Sequence, residues 1–222
     1  MTDIKPFPPA LAQAYHAWKQ NSFPAQEGAF TTLARDGQAP DFMVISCCDS
    51  RVLPTDIFGA GAGDIFMHRN IANFVPPYKA PSSESGGDAH GTSAALEYGV
   101  CALKVPHVLV LGHTQCGGVQ GCHDMCAGGQ SGPEFVLPLV GAWLEAMRPV
   151  YEQMRSDSDA IDVDEMSRRS VVHSLNNLLT FPFVAAAVAA GELSLHGAWH
   201  DFGTGTLLVY NPDTDSFENS GA

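Results

Sequence analysis

Two short apolar runs, Phe42-Met43-Val44-Ile45 and Val108-Leu109-Val110-Leu111, do most to limit what this chain can fold into. Each run is continuous rather than alternating, which is the pattern of a strand covered on both faces, as in the parallel sheets of α/β proteins. Parallel strands need long crossovers, and the stretch between the two runs leaves room for one. Each run also ends in a cluster of reactive side chains: Cys47-Cys48-Asp49-Ser50-Arg51 after the first, His113-Thr114-Gln115-Cys116 after the second.

The remaining pattern fits that frame. Helical spacing of Leu11, Ala14, Tyr15 and Trp18 predicts a helical N-terminal arm over residues 11–36, divided into two helices at Pro24. A further strand is expected over 63–67, a helix over 92–103 stopped by Pro106, and helices over 167–179 and 181–190. A hairpin of 193–201 and 206–210 closes around Gly203-Thr204-Gly205. The expected fold is α/β: a mainly parallel central sheet flanked by helices, with the helical arm, in a single domain over residues 1–222. Two polar stretches, residues 79–91 and 155–165, read as surface loops.

A formal net charge of -13 disfavours a surface that tracks phosphates, so no nucleic-acid partner is expected. Residues 1–10 lack the charged start and apolar core of a secretory signal, and the apolar run 181–190 is about half the length a bilayer needs. The expectation is a cytoplasmic protein with no membrane partner. Six cysteines then read as reduced thiols rather than a disulfide framework. Cys48 and Cys101 read as small buried side chains. Cys122 and Cys126, flanked by glycines, read as loop residues with only a weak case for a second metal site that includes His123.

In an open parallel sheet, strand carboxyl ends face the ligand crevice, so two strands distant in sequence can deliver side chains to one point. Cys47, His113 and Cys116 would then supply two thiolates and an imidazole, a donor set that favours zinc over magnesium or calcium. Three protein ligands leave a tetrahedral zinc one open position, the mark of a catalytic rather than a structural site. Asp49, two residues after Cys47, falls on the same side of an extended segment. It could orient a nucleophile on the metal or become a fourth ligand. Arg51 favours the first role, because a guanidinium fork keeps a carboxylate ionised and turned away from the ion.

These clusters, with Gly117-Gly118, residues 63–73 (Gly-Asp-Ile-Phe-Met-His-Arg-Asn-Ile-Ala-Asn), Glu97-Tyr98 and Leu195-His196-Gly197-Ala198-Trp199, resemble the beta-class carbonic anhydrases of the plant-like subgroup. The resemblance implies reversible hydration of CO2 to bicarbonate and a proton by zinc-bound hydroxide, with one Zn2+ per chain and the Asp49–Arg51 pair orienting the hydroxide. It implies a homodimer as the minimal active unit, with tetramers or octamers as larger assemblies. It also assigns substrate contacts to Gln38, Phe66, Ile71, Tyr98 and Gly117, the Gln reaching across the dimer interface in that subgroup. Val44 stands where the other subgroup has a Trp that builds a regulatory bicarbonate site, so an open, water-ligated zinc is expected near neutral pH. Two other readings have different consequences: hydrolysis of CS2 or COS by the same chemistry, and a zinc-stabilised interaction protein without turnover.

Overall fold

The structure, a computed structural model, describes residues 4–80, 90–128, 137–158 and 160–220. Its contacts divide the chain into two compact units, Met1–Ala39 and Pro40–Ala222. The first holds helices α1 (Pro9–Asn21) and α2 (Phe23–Asp36), each with a proline in its first turn. A missing N–H costs nothing there, which is why Pro24 starts a helix rather than interrupting one. Trp18, Phe23 and Phe30 pack the two helices together, with ring centroids 5.3 and 5.7 Å apart along that series.

The second unit is built on a six-stranded sheet in the order β2-β1-β3-β4-β5-β6. Its strands are β1 (Phe42–Cys47), β2 (Ile65–Asn70), β3 (His107–His113), β4 (Ser194–Asp201), β5 (Thr206–Asn211) and β6 (Ser216–Asn219). The first four run parallel, while β5 and β6 are antiparallel additions at one edge. Among the described residues the helices are α3 (Pro54–Ile57), α4 (Gly91–Glu97), α5 (Gly117–Cys126), α6 (Pro138–Leu144), α7 (Arg148–Asp157), α8 (Val163–Leu178) and α9 (Pro182–Ala189). The mainly parallel sheet with flanking helices is the architecture that the apolar runs imply.

Alternation along the strands explains their unbroken hydrophobicity. Met43, Ile45, Val108 and Val110 enter one core with Val171 and Leu178 of α8 and Val184 of α9, whereas Val44, Leu111 and Ala198 enter another with Val52. Each such buried side chain contributes roughly 1.5–3 kcal/mol by leaving water. Near the end of β3 the packing leaves no room for a side chain. A Cβ on Gly112 would lie 2.7 Å from Val171 and 3.0 Å from Trp199, so glycine lets α8 cross directly beside His113.

Several local expectations change. The helix expected over 92–103 is α4 followed by a π-helical turn, Tyr98–Ala102. The stretch 155–165 is not one loop, since Arg155 to Asp157 finish α7 and Val163 to Glu165 begin α8, capped by Asp162. Cys122 and Cys126 lie on helix α5 instead of a loop, and Cys48 and Cys101 are exposed rather than buried. Helices α6 and α7 and strand β6 have no counterpart in the sequence reading. Of the polar stretch 79–91, residues 81–89 lie outside the described residues. No single described helix is long and apolar enough to cross a membrane.

Because of the close approach at Gly112, Gly112→Ala will lower unfolding stability by about 1–3 kcal/mol, the usual cost of overpacking. Urea denaturation monitored by far-UV circular dichroism measures it, and an unchanged midpoint would contradict the packing argument.

Candidate metal centre

Parallel pairing brings the two clusters together. In the ladder Ser46 stands opposite Leu111 on β3, and Cys47 opposite Asn70 on β2, so the carboxyl ends of all three strands lie at one level. Cys47, His113 and Cys116 are all buried there, with their ligand atoms within 4.8 Å of one another. The two sulfurs are 4.0 Å apart, close to the ~3.8 Å separation of two thiolates at 2.3 Å from one tetrahedral zinc. His113 Nδ1 lies 2.9 Å from the Thr114 carbonyl, which fixes the proton on that nitrogen. Its Nε2 is left buried with no hydrogen-bond partner. A buried lone pair without a donor, set beside two thiols, is what a metal ion would satisfy. The donor set fits zinc, and it is the only such group of three among the described residues.

The thiols are not equivalent in the protein chain itself. Cys47 is held well below the usual thiol range chiefly by the Cys116 S–H against it, with smaller help from the Asp49 backbone N–H, although burial opposes this. Cys116, the donor in that contact and fully buried, is pushed up. The backbone N–H groups of Gly118 and Val119 in the first turn of α5 act in the opposite sense on Cys116. Metal binding needs both sulfurs deprotonated, so it would displace the proton they share.

Neither ligand loop is regular, and each is tied down by a charged side chain from elsewhere. After β1, Arg69 donates to three carbonyls: Nε to Cys47 at 2.8 Å, and Nη2 to Asp49 at 2.7 Å and Val52 at 2.8 Å. After β3, Gln115 adopts a left-handed φ of 51°. Asp164 at the start of α8 accepts from Gln115 N at 2.7 Å and Thr114 Oγ1 at 2.6 Å, holding that turn. Ser167 donates to the His113 carbonyl at 3.1 Å and accepts from Trp199 Nε1 at 3.1 Å. Arg69 appears in the sequence motif without an assigned role, and Asp164 and Ser167 carry no local signal at all.

Asp49 and Arg51 form the fork that their spacing suggests. Oδ1 accepts from Arg51 N at 3.0 Å and Nε at 2.9 Å, and Oδ2 accepts from Nη2 at 2.7 Å. The guanidinium holds the Asp49 carboxyl well below the usual carboxylate range, so it is ionised throughout the physiological range. Arg51 Nη2 also donates to the Gln115 carbonyl at 3.2 Å, linking the two ligand loops.

The other residues singled out by the resemblance are distributed more widely. Ile71 sits in the turn after β2, where its Cγ2 lies 2.9 Å from the position of a Cβ on Gly118, beside Gly117 in the first turn of α5. Asn70 braces that turn, accepting from Phe74 N at 2.9 Å and donating to Phe74 O at 2.8 Å across the left-handed residues Ala72 and Asn73. Phe66 and Tyr98 pack on each other at 5.8 Å. Phe66 stands four residues before Asn70, about 13 Å along the strand from the level of Cys47. One chain therefore does not bring that pair to the metal ligands. Gln38 follows α2 in the first unit and is exposed. Among the described residues Cys122 and Cys126 belong to no three-donor group, and His123 turns to Asp124 at 2.9 Å and to the Tyr151 ring.

Comparison with known proteins agrees with this arrangement. Residues 42–207 match the family model described as carbonic anhydrase. Over 196 residues the chain is 35% identical to chloroplastic beta carbonic anhydrase 5 of Arabidopsis thaliana, covering 86% of this chain and 61% of that protein. Beta carbonic anhydrase 3 of the same plant is 32% identical over 200 residues, covering 88% and 74%. Among solved structures, the beta-carbonic anhydrase CcaA superposes with a TM-score of 0.83 at 30% identity, over 96% of this chain and 92% of that one. One of two tetrameric beta-carbonic anhydrases from Sordaria macrospora gives 0.73 at 30% identity, over 96% of each chain.

Because Asp164 fixes the loop that carries His113 and Cys116, Asp164→Asn will weaken zinc binding about 10- to 100-fold, the range typical of residues that orient ligands. Competition with a chromophoric chelator measures this, and an unaltered affinity would remove Asp164 from the site's support.

Proposed function

Because the chain belongs to the carbonic anhydrase family, we propose that it catalyses the reversible hydration of CO2 to bicarbonate and a proton with one zinc ion held by Cys47, His113 and Cys116. The observation that carries this reading is the buried three-donor cluster with an unpaired imidazole nitrogen beside a carboxylate kept ionised by Arg51. Zinc in such a site supplies Lewis acidity that lowers the pKa of water and makes hydroxide available near neutral pH.

The chain's own residues do the rest. Thr114 O orients the His113 ring, and the Arg69 and Asp164 clamps hold the two thiols at fixed separation. Asp49 is outside the metal-ligating group and has both oxygens engaged by Arg51, which supports its role as acceptor and orienter of the nucleophile's hydrogen rather than fourth ligand. With Val44 in a buried position of β1, the open form near neutral pH remains the expected one. Phe66 and Ile71 form apolar walls suited to CO2, which offers little to a polar pocket, while Gln38, Tyr98 and Gly117 contact the polar end of substrate or product.

The ~13 Å between Phe66 and the level of the ligands supports a pocket completed by a second copy, and hence a homodimer as the smallest active form. The tetrameric Sordaria relatives favour larger assemblies on the same plan. All six cysteines are free, which suits the reducing cytoplasm as its location.

Stopped-flow CO2 hydration, with zinc content measured on the same sample, tests the proposal. Full zinc occupancy without hydration above buffer would reject it. Asp49→Ala is expected to retain its zinc and lose about 10- to 100-fold in rate. A gain in activity would instead identify Asp49 as an inhibitory ligand.

A further inference from the structure

The fork between Asp49 and Arg51 uses the edge of the guanidinium and leaves its two faces open. Arg51 Cζ lies over the Phe202 ring, 4.2 Å from its centroid. The same ring stands 6.2 Å from the ring of His113, tilted by 39°. Phe202 thus touches both halves of the centre, although it comes from neither ligand loop and carries no motif signal. From this geometry we infer that Phe202 is a positioning residue: its ring holds the Arg51 guanidinium in the plane that grips Asp49.

The ring is itself held in place. It follows directly on β4, whose His200 pairs with His113 in the ladder. Asp201 builds the turn that presents it: Oδ1 accepts from Gly203 N at 2.8 Å, Oδ2 accepts from Thr204 Oγ1 at 2.9 Å, and the Asp201 carbonyl accepts from Gly205 N at 2.8 Å. Gly205 closes the turn at a φ of 75°, a left-handed conformation that favours glycine.

Arg51 needs such support because its side chain is nearly half exposed, and water competes there for every N–H. The edge contacts fix the guanidinium in its own plane: Nε and Nη2 on Asp49, and Nη2 on Gln115 O. They resist rotation out of that plane only weakly. An aromatic face attracts a planar cation electrostatically and blocks that rotation, whereas an aliphatic side chain of equal volume would block it without the attraction. The consequence for turnover rests on the proposed function, while the hold on Arg51 stands apart from it.

The test compares Phe202→Leu with Phe202→Tyr in the zinc-loaded full-length protein. Hydrogen exchange of the Arg51 Nε–H, followed by 15N NMR, reports the hold on the guanidinium whether or not CO2 is turned over. Exchange is expected to rise about two- to fivefold in the Leu variant and to stay near the parent value in the Tyr variant, which keeps the aromatic face. At saturating buffer, kcat/KM for CO2 should fall by a similar factor in the Leu variant alone, with zinc content unchanged. Unchanged exchange in Phe202→Leu, or equal loss in both variants, would overturn the positioning role. Faster exchange with an unaltered kcat/KM would overturn its bearing on catalysis. An inactive parent protein with full zinc would instead reject the proposed function and leave the exchange result to decide the role of Phe202.

Discussion

The centre depends first on the parallel register between β1 and β3. Ser46 stands opposite Leu111, so the backbone leaves both strands at the same level and Cys47 arrives next to His113. A slip of one residue would turn every side chain of β1 to the other face of the sheet. Met43 and Ile45 would leave the core they share with α8, and Cys47 would face away from its partners. The register that buries the apolar residues is thus the register that assembles the ligands, and the hydrophobic core enforces the geometry of the polar site.

That arrangement creates a second demand. Chain segments leaving a buried sheet carry unpaired backbone groups, and the loops here depart from regular geometry at Ala72, Asn73 and Gln115, all with positive φ. Arg69, Asp164 and Asn70 meet the demand from three different elements. Each acts on the surrounding chain, mainly its backbone, rather than on the side chains of the metal ligands. A thiol or imidazole can be placed only as firmly as the backbone that carries it, so these residues fix the ligand spacing indirectly.

This division explains what could be read from the sequence. Cys47, His113, Cys116, Asp49 and Arg51 were legible because their chemistry is concentrated at the ends of two apolar runs, and a strand end in a parallel sheet has a known destination. Asp164 was not, because one carboxylate at the start of a helix looks like an ordinary first-turn acid until the fold sets it against Gln115. The same holds for Phe202, whose partner is distant in the chain. Cys48 and Cys101 were misjudged because thiols are usually buried, whereas Cys48 lies on the irregular segment after β1 and Cys101 lies in a π-helical turn, where helical periodicity no longer gives the facing. Helix α7 was hidden by its polar positions, since it buries only Val150, and α6, apolar throughout, is only 7 residues long, too short to show a helical period.

The balance of charge at the centre accounts for the partnership of Asp49 with Arg51. Two thiolates together cancel the charge of a divalent ion, so a nearby carboxylate gains less from that ion than it would beside two neutral imidazoles. The Arg51 guanidinium offers a full positive charge and a matching pair of N–H groups at 2.7–2.9 Å. Asp49 is therefore better served by the fork than by the metal, as long as the fork stays planar and in reach. With zinc bound, the same electron donation would make the ion a weaker acid toward water, raising the value of an ionised acceptor close by. In the proposed reaction, thiolate ligation and the Asp49–Arg51 pair would be two parts of one electrostatic solution: the ligands that weaken the pull on Asp49 would also create the need for it.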